Sequence, residues 1–260
     1  MQVIFIHHSC FLVEADDQVL IFDYIRPDRL DGYRFTGRIP TYAPETRIRV
    51  FVSHSHKDHY DPVIFTWAKD YPNIHYFLAE DIPAGPADLK KLGLSPSFRD
   101  RITRVKPHKT YEYDGLSIET LKSNEAGVNT LHAGVAFYVN ANGISMFHGG
   151  DLADWCFEGV GELMNNRMKK SFRAELRRLS GKPLNLAFVA MDPRQEQDMS
   201  LTVEEFLKNT DAEYIFPMHM WQDYSGIPLY RKRLTNRESA ARVMVVEREN
   251  QVFFFGEETL

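Results

Sequence analysis

The sequence predicts a layered α/β protein, its sheets buried beneath helices. Two observations carry this reading. Short apolar runs of strand length recur along the chain, and helix-length stretches separate them in both halves. Turn signals such as Asp16-Asp17 and Ala141-Asn142-Gly143 punctuate the runs.

In chain order, β-rich runs occupy 2–6, 10–14, 18–23, 48–53 and 75–79, with helices expected near 61–69 and 86–92. Strands follow at 101–105, 110–121, 133–139 and 143–148, the last two joined as a hairpin through Asn142-Gly143. From 160 to 180 the spacing of Met164, Met168, Phe172, Leu176 and Leu179 is helical. The Arg167, Lys169, Lys170, Arg173, Arg177 and Arg178 side chains fall on other faces and read as a solvated surface. A strand at 185–191, a helix at 202–210 and strands at 213–217, 242–247 and 250–255 complete the pattern. The aromatic, charged segment 24–47 lacks periodicity, and reads equally as a substrate-facing lid or as a loop pinned by Tyr24, Tyr33, Phe35 and Tyr42.

With 260 residues, 43% of them hydrophobic, the chain can build a large core, and 1–260 is expected to be a single domain. A net charge of −5 gives no support for a nucleic-acid or anionic-membrane partner. The N-terminal MQVIFIHHSCFLVE does not resemble a signal peptide, and no apolar stretch approaches the ~20 residues a membrane span needs. Two cysteines, Cys10 and Cys156, are too few for a disulfide scaffold at this size, so a cytoplasmic protein is expected. Cys156 reads as a small buried hydrophobe rather than a metal contact.

The chemistry-bearing stretch is SHSHKDHYDP, residues 53–62, directly after Val50-Phe51-Val52. The pattern H-x-H-x-D-H arises by chance in only about one chain in a thousand of this composition. Residues two apart at a strand end point the same way, so His54 and His56 can share one metal ion. Asp58 and His59 diverge and can reach a second cation nearby. Two further strand ends carry ligand types. Asp151 in FHGGDLADW follows two glycines that allow close approach and could bridge two ions, and His219 in YIFPMHMW sits just past an apolar run.

The ordered set SHSHKDH, FHGGD and FPMH resembles the metallo-β-lactamase superfamily. The whole chain, from IHHSCFLVE and LIFDY through MDPRQE to FPMHMW, resembles the branch of metal-dependent hydrolases related to ascorbate-6-phosphate lactonase. This resemblance implies a four-layer αββα sandwich with a two-metal site at the sheet edges. It implies that His54 and His56 hold one metal, that Asp58, His59 and His219 hold the other, and that Asp151 bridges them. It also implies that Asp23, closing LIFD, orients a ligand imidazole. The family usually adds a third histidine to the first metal from a G-H-T-x-G loop. The corresponding SNEAGVNTLHAGVAF offers only His132, at shorter spacing than the usual motif, as the expected third histidine of the first metal.

The expected cofactor is a pair of divalent ions, zinc by ligand type, with manganese or iron as alternatives. A metal-held hydroxide would attack a carbonyl or phosphoryl centre of a small, anionic substrate such as a lactone, ester or phosphodiester, with Asp58 handling the proton. Arg194 in MDPRQE is the candidate clamp for an anionic group, equally readable as one half of an internal salt bridge. Trp155, His148 and Trp221 flank the ligand positions and read either as pocket wall or as packing, whereas His7 and His8 read as near-site or core residues rather than ligands. Two rival readings stand beside hydrolysis. One is an iron-dependent redox enzyme, disfavoured because the H-x-E-x-D pattern typical of the di-iron flavoproteins of this fold is absent. The other is a metal-stabilised scaffold without turnover.

Overall fold

The computed structural model describes residues 1–124 and 134–256. Strands β1 (Gln2–His7), β2 (Cys10–Ala15), β3 (Gln18–Phe22), β4 (Arg47–Val52), β5 (His75–Ala79) and β6 (Ile102–Val105) belong to one sheet. Strands β7 (Thr110–Tyr113), β8 (Leu116–Lys122), β9 (Val135–Ala141), β10 (Ile144–His148), β11 (Leu186–Ala190) and β12 (Tyr214–Met218) form the second. The last strand, β13 (Gln251–Phe254), returns to the first sheet, giving the orders β13-β1-β2-β3-β4-β5-β6 and β12-β11-β10-β9-β8-β7. Both sheets are mixed. β3, β4, β5 and β6 run parallel, as do β10, β11 and β12, while the remaining neighbours are antiparallel.

Strands β3, β4, β5 and β11 are buried almost throughout because both of their faces are covered, whereas the edge strands β7 and β13 alternate exposed and half-buried residues. The sheets meet through aromatic pairs. Phe11 lies 4.5 Å from Phe188, Phe22 stacks 4.9 Å from His148, and Phe51 meets Phe137 edge-on at 5.2 Å. Helices α1 (Pro86–Lys91), α2 (Glu162–Leu176), α3 (Leu201–Asn209), α4 (Gly226–Arg233) and α5 (Arg237–Arg242) complete the layered αββα sandwich expected from the sequence. In α2 the predicted stripe is the buried one: Met168, Phe172 and Leu176 face inward. Its basic face is partly tied down, since Arg173 donates to both carboxylate oxygens of Glu205 on α3, at 3.1 and 2.7 Å.

Three local expectations differ from the structure. The run 110–121 is a hairpin, not one strand, because Asp114 and Gly115 both adopt left-handed backbone, with φ of 46° and 83°. The segment 242–247 pairs only through Val243 against Ile215; Arg242 ends α5 instead, donating to the carbonyls of Leu207, Thr210 and Ala212. The helix at 62–69 is a 3-10 segment, capped by Asp61 accepting from the Val63 amide. Sequence periodicity also missed α4 and α5, which carry one buried residue between them. Segment 24–47 has no regular structure up to Arg47. Phe35 stacks 4.8 Å from His7 in the interior, while Leu30 faces the cleft described below. Among the described residues no helix is long and apolar enough to cross a membrane.

His75 on β5 is a buried titratable group well away from the cleft, stacked 3.9 Å from Tyr113 with its Nε2 2.9 Å from the Thr103 hydroxyl. Burial, helped by the Arg49 and Arg101 charges, pushes it down to about 4. The unfolded chain therefore binds a proton there near pH 6.5 that the folded chain resists until about pH 4, so the stabilisation is complete above 6.5 and is lost as pH falls toward 4. Urea unfolding across that interval is expected to show His75→Gln losing less stability on acidification than the parent, and equal slopes would count against this assignment.

Candidate metal centre

Five parallel strand ends converge on one edge of the sandwich. β3 ends in Asp23, β4 in Ser53 and His54, β10 in Gly149-Gly150-Asp151, β11 in Asp192, and β12 in His219. The carboxyl ends of parallel strands are where an open α/β sheet gathers ligands. Gly150 allows the close approach: it sits at φ 51°, and a Cβ there would lie 2.6 Å from that of Ser53. Asp23, His219 and His8 also hold left-handed backbone, at φ 46°, 65° and 49°. Such conformations cost non-glycine residues about 1–3 kcal/mol each and persist where the surroundings enforce them.

Two groups of donors result. His54, His56 and Asp151 each offer an atom within 4.8 Å of the others, and so do His8, Asp58, His59 and His219. Asp151 stands between them: Oδ2 is 3.2 Å from His54 Nε2, and Oδ1 is 3.0 Å from His59 Nε2 and 3.4 Å from His219 Nε2. The structure thus brings His54, His56, Asp58, His59, Asp151 and His219 together. His132 lies outside the described residues.

Three of the imidazoles are aimed by a partner on the opposite ring nitrogen. His59 Nδ1 is 2.8 Å from Asp23 Oδ2, and His219 Nδ1 is 2.9 Å from Asp192 Oδ2. His54 Nδ1 is 3.0 Å from the Ser53 hydroxyl, which itself donates to Asp23 Oδ2 at 2.6 Å. Each arrangement leaves Nε2 turned toward the cluster. The buried atoms His54 Nε2, His59 Nε2, His219 Nε2 and Asp151 Oδ1 have no hydrogen-bond partner. Folded proteins rarely leave buried polar atoms unsatisfied, so four converging orphans fit a divalent cation. Asp23 was legible from the sequence. Asp192 was not read as a site residue, although it closes an apolar strand in MDPRQE just as Asp23 closes LIFD.

The electrostatics agree. Burial alone would raise Asp151 and Asp58, but surrounding imidazoles, His59 foremost, hold both below the ordinary carboxylate value. Burial would lower His59 and His219, yet the carboxylates, Asp151 foremost, raise His59 well above its usual value and His219 to about 9. Where a cation is wanted, protons answer to the same negative charge.

Above the donors lies a cleft of about 480 Å³ reached by His56, Asp58, Asp151 and His219 and walled by Leu30, Trp155, Phe157, Val160, Met168 and Trp221. Arg194 also lines it. Its Nε and Nη2 pair with Asp192, at 2.9 and 2.5 Å from Oδ2, its guanidinium lies over Trp221 at 4.4 Å, and its side chain stays half-exposed. Trp155 and Trp221 are therefore pocket wall. His148 is core, fully buried with Nε2 2.8 Å from the Ser9 carbonyl, and His7 likewise bonds the Ile25 carbonyl at 2.9 Å. Cys156 belongs to neither donor group.

The chain has no significant match among curated proteins. Among solved structures it is similar to Igni18, a metallo hydrolase from the archaeon Ignicoccus hospitalis, at 17% identity and TM-score 0.60 over 98% of this chain and 99% of that one. It is similar to an isothiocyanate hydrolase from Delia radicum gut bacteria at 12% identity and TM-score 0.60, again over 98% and 99%. The di-iron β-hydroxylase CmlA of Streptomyces venezuelae aligns at 12% identity and TM-score 0.53, over 94% of this chain but 47% of CmlA. At such identities these likenesses speak for the fold. A model of the beta-lactamase superfamily domain matches residues 2–158, more than half of the sequence. By that match, laid on this fold and this cluster of donors, the chain belongs to the beta-lactamase superfamily.

Proposed function

We propose that the protein is a metal-dependent hydrolase acting on a small anionic substrate, within the branch related to ascorbate-6-phosphate lactonase. The observation that carries this reading is the set of buried, partnerless donor atoms, which meets an open cleft at Asp151 and His219. His54, His56 and Asp151 would hold one ion, and Asp58, His59, His219 and Asp151 the other. Bound there, divalent ions supply a strong nucleophile from water near neutral pH and polarise a carbonyl or phosphoryl oxygen. His and carboxylate donors suit zinc, and manganese or iron are the alternatives.

The chain's own residues supply the rest. Asp58, with 18% of its side chain exposed, reaches the cleft and accepts the proton of the attacking water at its carboxylate. Asp23 and Asp192 accept from Nδ1 of His59 and His219 and so fix Nε2 as the ring nitrogen each presents to the cluster. Arg194, anchored on Asp192, presents the rest of its guanidinium to an anionic group of the substrate. Leu30, Trp155, Phe157 and Val160 enclose the apolar part and exclude water. The chain would act as a single domain, with a small molecule as its partner.

The deciding experiment runs metal-replete protein against lactones, esters, thioesters, amides and phosphodiesters, with an isothiocyanate added because one neighbour hydrolyses that group. Hydrolysis that disappears on chelation and returns with a divalent ion is expected. Iron-dependent oxygen consumption with no hydrolysis would favour the redox reading, and stable metal content without turnover the scaffold. Asp192→Asn is expected to weaken metal binding about 10- to 100-fold while the fold persists. Arg194→Gln should raise KM for anionic substrates about tenfold or more, leave neutral analogues nearly unaffected and change kcat little. An equal loss on both substrate classes would remove Arg194 from substrate recognition.

A further inference from the structure

We infer that His8, at the turn joining β1 and β2, is an additional protein donor to the second metal position, beside Asp58, His59 and His219. This rests on the metal-centre reading above and extends it to a residue the superfamily resemblance did not mark. His8 is 1% exposed, and neither ring nitrogen has a hydrogen-bond partner. A buried imidazole with both nitrogens unsatisfied calls for an explanation, and its surroundings offer one.

Three imidazole nitrogens surround Asp58 Oδ2: His219 Nε2 at 3.4 Å, His8 Nε2 at 3.5 Å and His59 Nε2 at 3.7 Å. Neighbouring ligand atoms of one ion, at bonds of about 2.0–2.1 Å, lie about 3–3.5 Å apart in four- or five-coordinate geometry. The spacing of His8 from Asp58 therefore falls between those of two histidines already assigned to the same ion. The ring is placed by packing, not by a hydrogen bond. It lies 4.4 Å from His219, 4.5 Å from Trp221 and 6.1 Å from Phe35, centroid to centroid. The His219 amide donates to the His8 carbonyl at 3.1 Å, so the two donors share one backbone anchor. The two-residue turn His8-Ser9 holds His8 at φ 49°, a conformation for which glycine would be the easy choice.

His8 lacks the carboxylate or hydroxyl partner that aims the other three rings. Its removal should consequently leave those rings in place, which makes its contribution separable. With His8 the second position has three imidazoles, Asp58 and the shared Asp151, against two imidazoles and Asp151 from the described residues at the first. By the described donors alone the second position is the tighter of the two and is expected to fill first.

The test is a competition titration of the metal-stripped full-length protein with cobalt against a chromophoric chelator, read together with the visible spectrum of the bound ion. The parent is expected to bind its first equivalent more tightly than its second. His8→Phe, which keeps a ring between Trp221 and Phe35, should weaken that first equivalent about tenfold or more and intensify its absorption as the coordination number falls. His56→Ala should weaken the other equivalent and spare the first. His8→Gln is read in place of His8→Phe should the latter not melt cooperatively when metal-free. First-equivalent affinity and spectrum unchanged in the His8 variant would overturn the inference even if turnover fell. A parent that binds no cobalt at all would instead overturn the metal-centre reading and this inference with it.

Discussion

The Asp23 carboxylate is the constraint from which the rest of the centre is built. It accepts from the Ser53 amide at 2.7 Å, from the Ser53 hydroxyl at 2.6 Å and from the His59 ring at 2.8 Å. One buried anion thereby ties the end of β3 to the end of β4, sets the His59 tautomer directly and sets that of His54 through the hydroxyl. Its charge is tolerable because the His148, His59 and His54 rings surround it, which hold it below the ordinary carboxylate value against the burial that would raise it. Without Asp23 the strand ends would still meet, but neither imidazole would have a fixed donor side.

The second sheet repeats the device. Asp192, at the end of β11, accepts from His219 Nδ1, from the Trp221 indole at 3.2 Å and from Arg194, and so aims one ligand while holding two elements of the cleft wall. Two carboxylates at corresponding strand ends thus orient donors toward Asp151, which stands between the two sheets. The sandwich explains why this works: aromatic pairs such as Phe11 with Phe188 lock the sheets face to face, so strand ends from both arrive at one edge at fixed separation.

Much of this was legible in the sequence, for physical reasons. The period-two spacing of His54 and His56 after a continuous apolar run, and the recurrence of ligand types after two later apolar runs, mark strand ends independently of tertiary contacts. Asp23, closing LIFD, was legible through the superfamily resemblance. Features that depend on contacts distant in sequence were not. Asp192 closes an apolar run as Asp23 does, but its pairing with His219 shows only once β11 lies beside β12, and Arg194 looks equally like a clamp or a salt bridge until its pairing with Asp192 and its place in the cleft are both visible. The strand expected at 242–247 failed for a related reason. Its apolar run is real, but Arg242 spends its guanidinium on three carbonyls of another segment and leaves only Val243 to pair.

His8 marks the limit of pattern reading most clearly. Adjacent histidines at a turn carry no periodicity, and nothing in IHHSCFLVE distinguishes the ring that bonds the Ile25 carbonyl from the ring that faces Asp58. The distinction comes from backbone handedness: His7 ends β1 and continues its pleat into the interior, while His8 turns left-handed and reverses direction. A position where the chain accepts strain and leaves two buried nitrogens unsatisfied is destabilised in the isolated fold, and its cost is offset only when something binds there. The same holds for the orphaned nitrogens of His54, His59 and His219. In the proposed metal-bound form the edge of the sandwich would draw stability from the ions, while the aromatic layer beneath it holds the geometry in their absence.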